Sequence, residues 1–207
     1  MVAFDKSITK REQDILCFIN DFWFCEISHV EKRFNIKKPR CYQILQSLVK
    51  NGLLMHRRIF HGRHGIYSVT AIGAKYTNLP ALKNIPIAHY NHHLMVINVY
   101  LVLQKKYPTA MWMSERYLIR NNQNHRNKKK HLADGELIFT PNKRVAIEVE
   151  LTLKGKDRVD NILKRYATRD DVDEVWYFCP NTILSILKHL IIKWPFVRVH
   201  SLDEFLS

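Results

Sequence analysis

Two glutamates on one face of one strand are the residues of this chain best placed to do chemistry. Over residues 144–154, Val145, Ile147, Val149, Leu151 and Leu153 alternate with Arg144, Ala146, Glu148, Glu150, Thr152 and Lys154. That period predicts a strand with one apolar face. At a rise of about 3.3 Å per residue, Glu148 and Glu150 stand roughly 7 Å apart on the other face. Two carboxylates held so close repel unless a proton or a cation lies between them, and a divalent metal is the economical answer. A second strand begins at Ala133-Asp134-Gly135-Glu136 and ends at Phe139, and Thr140-Pro141-Asn142-Lys143 is a turn signal, so the two strands form an antiparallel hairpin. Residues opposed in such a pair share a face. Asp134 joins Glu148 and Glu150 only if paired residue numbers sum to an even value, near 282 or 284, which requires an odd loop or a bulge.

The elements around the hairpin follow from pattern. Residues 111–119 read as a strand whose one acid is Glu115, and 120–131 as a loop carrying Arg126, Lys128, Lys129 and Lys130. With no acid and no large apolar residue at its centre, that loop suits a basic flap for a phosphate backbone. Residues 157–167 predict a helix with Val159, Ile162, Leu163 and Tyr166 inward. A strand over 174–178, a helix over 183–191 and a strand over 196–200 complete the half. Upstream, His89-Tyr90-Asn91-His92-His93 leads into an apolar helix over 94–103. Its histidines lack metal-ligand spacing and read as helix-start and structural residues.

The first 75 or so residues have a different texture. Thr9-Lys10-Arg11-Glu12 is a capping-box pattern for a helix to about Asn20, with Leu16, Ile19 and Phe22 apolar. A second helix fits 27–34, with Ile27, Val30 and Phe34 inward. Pro39 suits the first turn of a third. There Cys41, Ile44, Leu45, Leu48 and Val49 make one buried stripe. Lys38 precedes the helix, and Arg40, Tyr42, Gln43, Gln46, Ser47 and Lys50 lie off the stripe, where such side chains can read base edges and hold phosphates. Strands over 53–59 and 66–70 form a hairpin decorated by Arg57, Arg58, His61, Arg63 and His64. Three helices and a basic hairpin resemble the winged-helix fold, which implies a third helix in the major groove and a wing on the DNA backbone. The Pro-interrupted stretch 78–86 separates the halves, giving domains at 1–78 and 88–207.

Composition agrees with a nucleic-acid partner. Lys plus Arg number 33 against 19 Asp plus Glu, a net charge of +14, in a chain 46% hydrophobic. That excess calls for a polyanion, and the hydrophobic share excludes a disordered tail. The start lacks a signal-peptide apolar run and no apolar stretch reaches a spanning length, so the expectation is a cytoplasmic protein without a membrane segment. Cys17, Cys25, Cys41 and Cys179 have no CxxC pair or zinc spacing and read as thiols of a reducing compartment.

The order helix, three strands, helix, strand, with Asp134 and Glu148 on adjacent strands, resembles the PD-(D/E)XK nuclease superfamily. The expected class is therefore α+β, an N-terminal winged helix-turn-helix plus a C-terminal restriction-endonuclease-like α/β domain. His93-Leu94-Met95-Val96 with Asn98-Val99-Tyr100, Trp112 with Ser114-Glu115, Asp134-Gly135, Ala146-Ile147-Glu148-Val149-Glu150 and Val175-Trp176-Tyr177-Phe178 narrow the likeness. Together they look like the replication-relaxation family and the similar MobC-type conjugative relaxases, over about residues 8–200. The resemblance implies Mg2+- or Mn2+-dependent nicking of one DNA strand at a plasmid or mobile-element origin of transfer, with other transfer proteins as partners. It implies Asp134 and Glu148 as metal ligands with Glu115 and Glu150 as auxiliary acids, and the strand face makes Glu150 a third candidate ligand. A dimer is compatible with it. The non-enzymatic alternative is a DNA-binding accessory protein with an inactive nuclease fold. One position departs from the motif: the lysine expected two residues after Glu148 is Glu150. Lys154 lies about 20 Å from Glu148 on a straight strand and serves only if the chain turns after Leu151; Lys164 is another substitute. Tyr90, Tyr100, Tyr117 and Tyr166 are all conceivable nucleophiles for a covalent DNA intermediate, and nothing in the sequence singles one out.

Overall fold

Thr9 opens the first helix as its spacing predicts. Its hydroxyl accepts the Glu12 amide, and the Glu12 carboxylate accepts the Thr9 amide at 2.8 Å, a reciprocal cap that satisfies two otherwise orphaned donors. The computed structural model describes residues 8–123 and 131–207. Helix α1 runs Lys10–Asp21, strand β1 Cys25–Glu26, α2 Ile27–Phe34 and α3 Arg40–Lys50. Pro39 sits just before α3 rather than within its first turn. Cys41, Ile44, Leu45 and Leu48 are buried along one stripe, with Val49 half-buried beside them. Gly52, at φ +70, supplies the left-handed residue that turns the chain out of α3. Strands β2 (Leu54–Arg57) and β3 (Ile66–Val69) pair antiparallel. They are shorter than the expected 53–59 and 66–70, because the basic tip leaves the ladder. β1, not expected from the sequence, adds to the other edge of β3.

The remaining elements are α4 (Tyr90–Lys106), β4 (Met111–Ser114), α5 (Glu115–Gln123), β5 (Gly135–Thr140), β6 (Lys143–Val149), α6 (Lys156–Ala167), β7 (Glu174–Cys179), α7 (Asn181–Ile191), β8 (Val197–Ser201) and α8 (Leu202–Phe205). The five strands lie in chain order. β4, β5 and β6 are antiparallel, and β6, β7 and β8 are parallel, joined through α6 and α7. On one sheet face Ala146, Val175, Tyr177, Cys179 and Val197 share a core with Val159, Ile162, Leu163 and Tyr166 of α6 and Leu187 and Ile191 of α7. The protein is an α+β protein.

Two expectations need correction. Residues 111–119 are not one strand: β4 stops at Ser114, and Glu115 begins α5. A carboxylate in a first turn is favoured by the helix dipole, and Leu118 turns into the core. The strand expected over 144–154 ends at Val149, and bends follow at Leu151 and Thr152. Leu153, read as inward, is 40% exposed. The chain divides into compact units 1–97 and 98–207. The start of α4 is held by the first unit: Tyr90 stacks on Phe24 and donates its hydroxyl to Glu26 at 3.1 Å. Among the described residues no helix is long and apolar enough to cross a membrane. Cys25, Cys41 and Cys179 are buried free thiols, and Cys17 is half-buried.

Candidate functional site

The register of the β5–β6 hairpin decides where Asp134 points. The loop Pro141–Asn142 has two residues, which alone would turn Asp134 away from Glu148. Pairing is Thr140 with Lys143 at the loop but Ile138 with Arg144 beyond it, so Phe139 is an extra, bulged residue. That one-residue shift sets Gly135 opposite Ile147, and hence Asp134 opposite Glu148. The Asp134 amide donates to the Ile147 carbonyl at 3.0 Å, and its Oδ2 accepts the Val149 amide at 2.7 Å. The carboxylate is thereby fixed at the end of the ladder.

Glu148 is 2% exposed. Its Oε1 accepts the Tyr166 hydroxyl of α6 at 2.5 Å and lies 2.6 Å from Nε2 of His131. Burial and then the Glu148 charge push the Tyr166 pKa well up, so its hydroxyl stays a donor. Glu150 is also buried, and burial raises its pKa, partly offset by Lys154 and reinforced by Glu148 and Asp134. Lys154 Nζ lies 2.6 Å from Glu150 Oε2. The chain does turn after Leu151, and the turn brings this lysine back to the acids. Tyr177, paired with Glu148 across the parallel β6–β7 ladder, has a buried hydroxyl with no hydrogen-bond partner among the described residues. Its pKa is raised first by burial and then by Glu148, Glu150 and Asp134. The charges of all three carboxylates thus bear on this one buried hydroxyl.

Two residues along, Glu136 is fully buried between Arg144 (3.2 Å) and Arg169 (2.8 Å). Arg169 also holds Asp171. This charge is matched by two guanidiniums, as a buried carboxylate requires. It borders a cavity of about 270 Å³ that also reaches His131, Arg165 and Thr168.

Asp134 is thus set opposite Glu148 and Lys154 against Glu150, whereas Glu115 heads a helix instead of joining them from a strand. The three-carboxylate metal set is not gathered: among the described residues no three His, Cys, Asp or Glu side chains converge as metal ligands, and Glu150 is paired with Lys154. Lys164 instead pairs with Asp160 on its own helix. Of the conceivable nucleophiles, Tyr90, Tyr100 and Tyr166 are buried and Tyr117 is half-buried. His131, Tyr177 and Arg169 were missed. Tyr166 and Tyr177 had a signal, since the inward face of α6 and the even-numbered face of β6 must meet in one core. His131 had none.

In the first unit Lys38, Arg40, Tyr42, Gln43, Ser47 and Lys50 are exposed on or beside α3, and Arg57 and Arg58 on the hairpin. Gln46 is half-buried on the same helix. Arg63 donates to Asn91 at 2.7 Å and lies over the Phe60 and Tyr90 rings, tying the hairpin tip to α4. Arg126, Lys128, Lys129 and Lys130 fall outside the described residues.

No family model matches the chain and no curated protein matches it. It is similar to a solved structure of TrmBL2, an archaeal chromatin protein described as showing a novel mode of DNA binding. The match is at 13% identity over 96% of this chain and 73% of that one. The TM-score is 0.26, too low to carry an argument about either fold or role.

Proposed function

We propose that the first unit is a winged helix that binds duplex DNA and that the second is a PD-(D/E)XK-like domain that nicks one strand with Mg2+ or Mn2+. The observation that carries the reading is the bulge at Phe139, which opposes Asp134 to Glu148, together with the return of Lys154 to 2.6 Å from Glu150. A chain of net charge +14 that collects acids on one strand face, with a lysine beside them, has the parts of a phosphodiester-cleaving site.

The donor set fits a hard cation in reduced form. Mg2+ takes one or two carboxylates and otherwise keeps water and substrate phosphate, so Asp134 and Glu148 suffice as holders. The buried, unpartnered Tyr177 hydroxyl beside them supports a polar occupant. When bound, the metal would activate water and neutralise charge on the phosphate. The chain's own residues do the rest. The Val149 amide orients Asp134, while Tyr166 and His131 fix the Glu148 rotamer. Lys154, held by Glu150, presents an ammonium for a phosphate oxygen. The exposed cations of α3 and the hairpin supply sequence-independent affinity that falls steeply with salt.

A second reading has its own support. Glu148 is deeply buried and already accepts two hydrogen bonds at one oxygen, and Glu150 is neutralised within the chain. A self-satisfied acid cluster is what a DNA-binding accessory protein with an inactive nuclease fold would retain. Incubation of supercoiled DNA with the protein and each metal separates the two readings: nicked circles support the first, while site-specific binding without cleavage in any divalent metal supports the second. Linear product would instead indicate double-strand cleavage.

A further inference from the structure

The sheet face opposite the acids carries a second concave site. Trp176 and Phe178 of β7 and His200 of β8 wall a cavity of about 230 Å³, with Tyr107 and Phe205 completing it. The rings are connected: His200 stacks on Phe178 at 5.0 Å and 23°, and Phe205 lies 4.7 Å from Phe178. Trp176 meets His200 edge-on at 5.7 Å and Tyr107 at 5.9 Å. Phe178 is fully buried behind His200 and Phe205, so the half-buried Trp176 and Tyr107 are the rings that offer π faces to a flat ligand.

The polar groups at this cavity are few and specific. Nε2 of His200 is buried and has no hydrogen-bond partner among the described residues, although buried polar atoms are as a rule partnered. Burial, followed by the Lys106 and Arg198 charges, lowers the His200 pKa. The ring is therefore neutral at pH 7, with one nitrogen donating and one accepting. Lys106 and Arg198 bring two cations to the lining. Glu174 is committed to the Trp176 ring N–H at 2.7 Å and lies 3.8 Å from Arg198.

A ligand that answers all of this has a flat aromatic body, a hydrogen-bonding edge and an anionic tail. The volume is below that of pockets for drug-sized ligands and suits one ring system. We propose that this cavity binds a single unpaired nucleotide, the base stacking on Trp176 beside Tyr107 with its edge on His200 Nε2, and the phosphate on Lys106 and Arg198. Stacking of unpaired bases on aromatic side chains beside cations is the general mode of single-strand binding. The site stands independently of the nicking reading, since none of its residues belongs to the acidic cluster. The nucleotide has two possible sources, a free mononucleotide or one base of a single strand.

Calorimetric titration of the full chain in EDTA tests it, using deoxyadenosine monophosphate, a short oligodeoxyadenylate and the same oligomer with abasic positions. Expected is saturable binding that weakens about tenfold in His200→Ala and in Arg198→Glu. Arg198 is exposed, so its variant keeps the fold if the tryptophan fluorescence matches the parent. Equal binding of monophosphate and oligomer assigns a free nucleotide; binding of the oligomer alone assigns a strand. Either supports the site. It is overturned if neither base-bearing ligand binds, if the abasic oligomer binds as well as the parent oligomer, or if both variants bind like the parent.

Discussion

Tyr166→Phe deletes one oxygen and keeps the ring that packs in the α6–sheet core, so it isolates a single hydrogen bond. That hydroxyl donates to Glu148 Oε1 at 2.5 Å, in a site where the carboxylate is 2% exposed. Hydrogen bonds to charged groups contribute about 1.5–3 kcal/mol, and the acceptor left behind is buried. His131 still lies at the same oxygen at 2.6 Å, which softens the loss and sets the expectation at about 2 kcal/mol. For a chain of this size that lowers Tm by roughly 4–8 °C. Pairing the change with Glu148→Gln sharpens the test. A glutamine oxygen still accepts, but a neutral bond contributes about 1 kcal/mol, so the double-mutant cycle should return a coupling of about 1 kcal/mol. Urea unfolding followed by tryptophan fluorescence measures all four proteins. A Tyr166→Phe cost under about 0.5 kcal/mol, or additivity within about 0.3–0.5 kcal/mol, would refute the assignment of Tyr166 as the residue that holds Glu148.

Three further outcomes are expected. His29 is buried, and burial lowers its pKa from 6.5 to about 4. Its folded form resists protonation, so the stability present above pH 6.5 is lost as pH falls toward 4, by up to about 3 kcal/mol. His29→Gln should flatten that slope in a pH series of urea midpoints. Burial raises the Glu150 pKa above its ordinary 4.5, so ionised Glu150 costs stability at neutral pH. Glu150→Gln should raise Tm at pH 7, and the gain should vanish below pH 4.5, where folded and unfolded states are both protonated. Deleting Phe139 removes the bulge and slips β5 by one residue, turning Asp134 off the acidic face. Any nicking activity should vanish, whereas Phe139→Leu, which keeps the residue count, should retain it.

Much of this arrangement was legible because it rests on period and parity. The alternation from Val145 to Val149 gave the β6 faces, and the even-sum condition stated what Asp134 needed. The bulge that met the condition was not readable, since it depends on Phe139 leaving the ladder beside Tyr107 and Trp176. The return of Lys154 was legible only as a condition, because alternation continues on paper through Leu153 while the chain bends at Leu151 and Thr152. Glu115 was misplaced for a related reason: Tyr117 and Ile119 favour strands locally, but tertiary burial of Leu118 on the sheet selects a helix. His131 reaches Glu148 from outside any element, and no spacing rule points to it. At the N-terminal end the capping box and the α3 stripe were clear, whereas the diversion of Arg63 to Asn91 depends on a neighbour distant in sequence.

The most direct measurement is a nicking assay on supercoiled DNA that carries the region around this protein's own coding sequence, in Mg2+, in Mn2+ and in EDTA. Nicked circles should form with either metal and not in EDTA, and should disappear in both Asp134→Asn and Glu148→Gln. Nicking that survives in both variants, or no nicking with any divalent metal, would contradict the assignment of the acidic face as the cutting site.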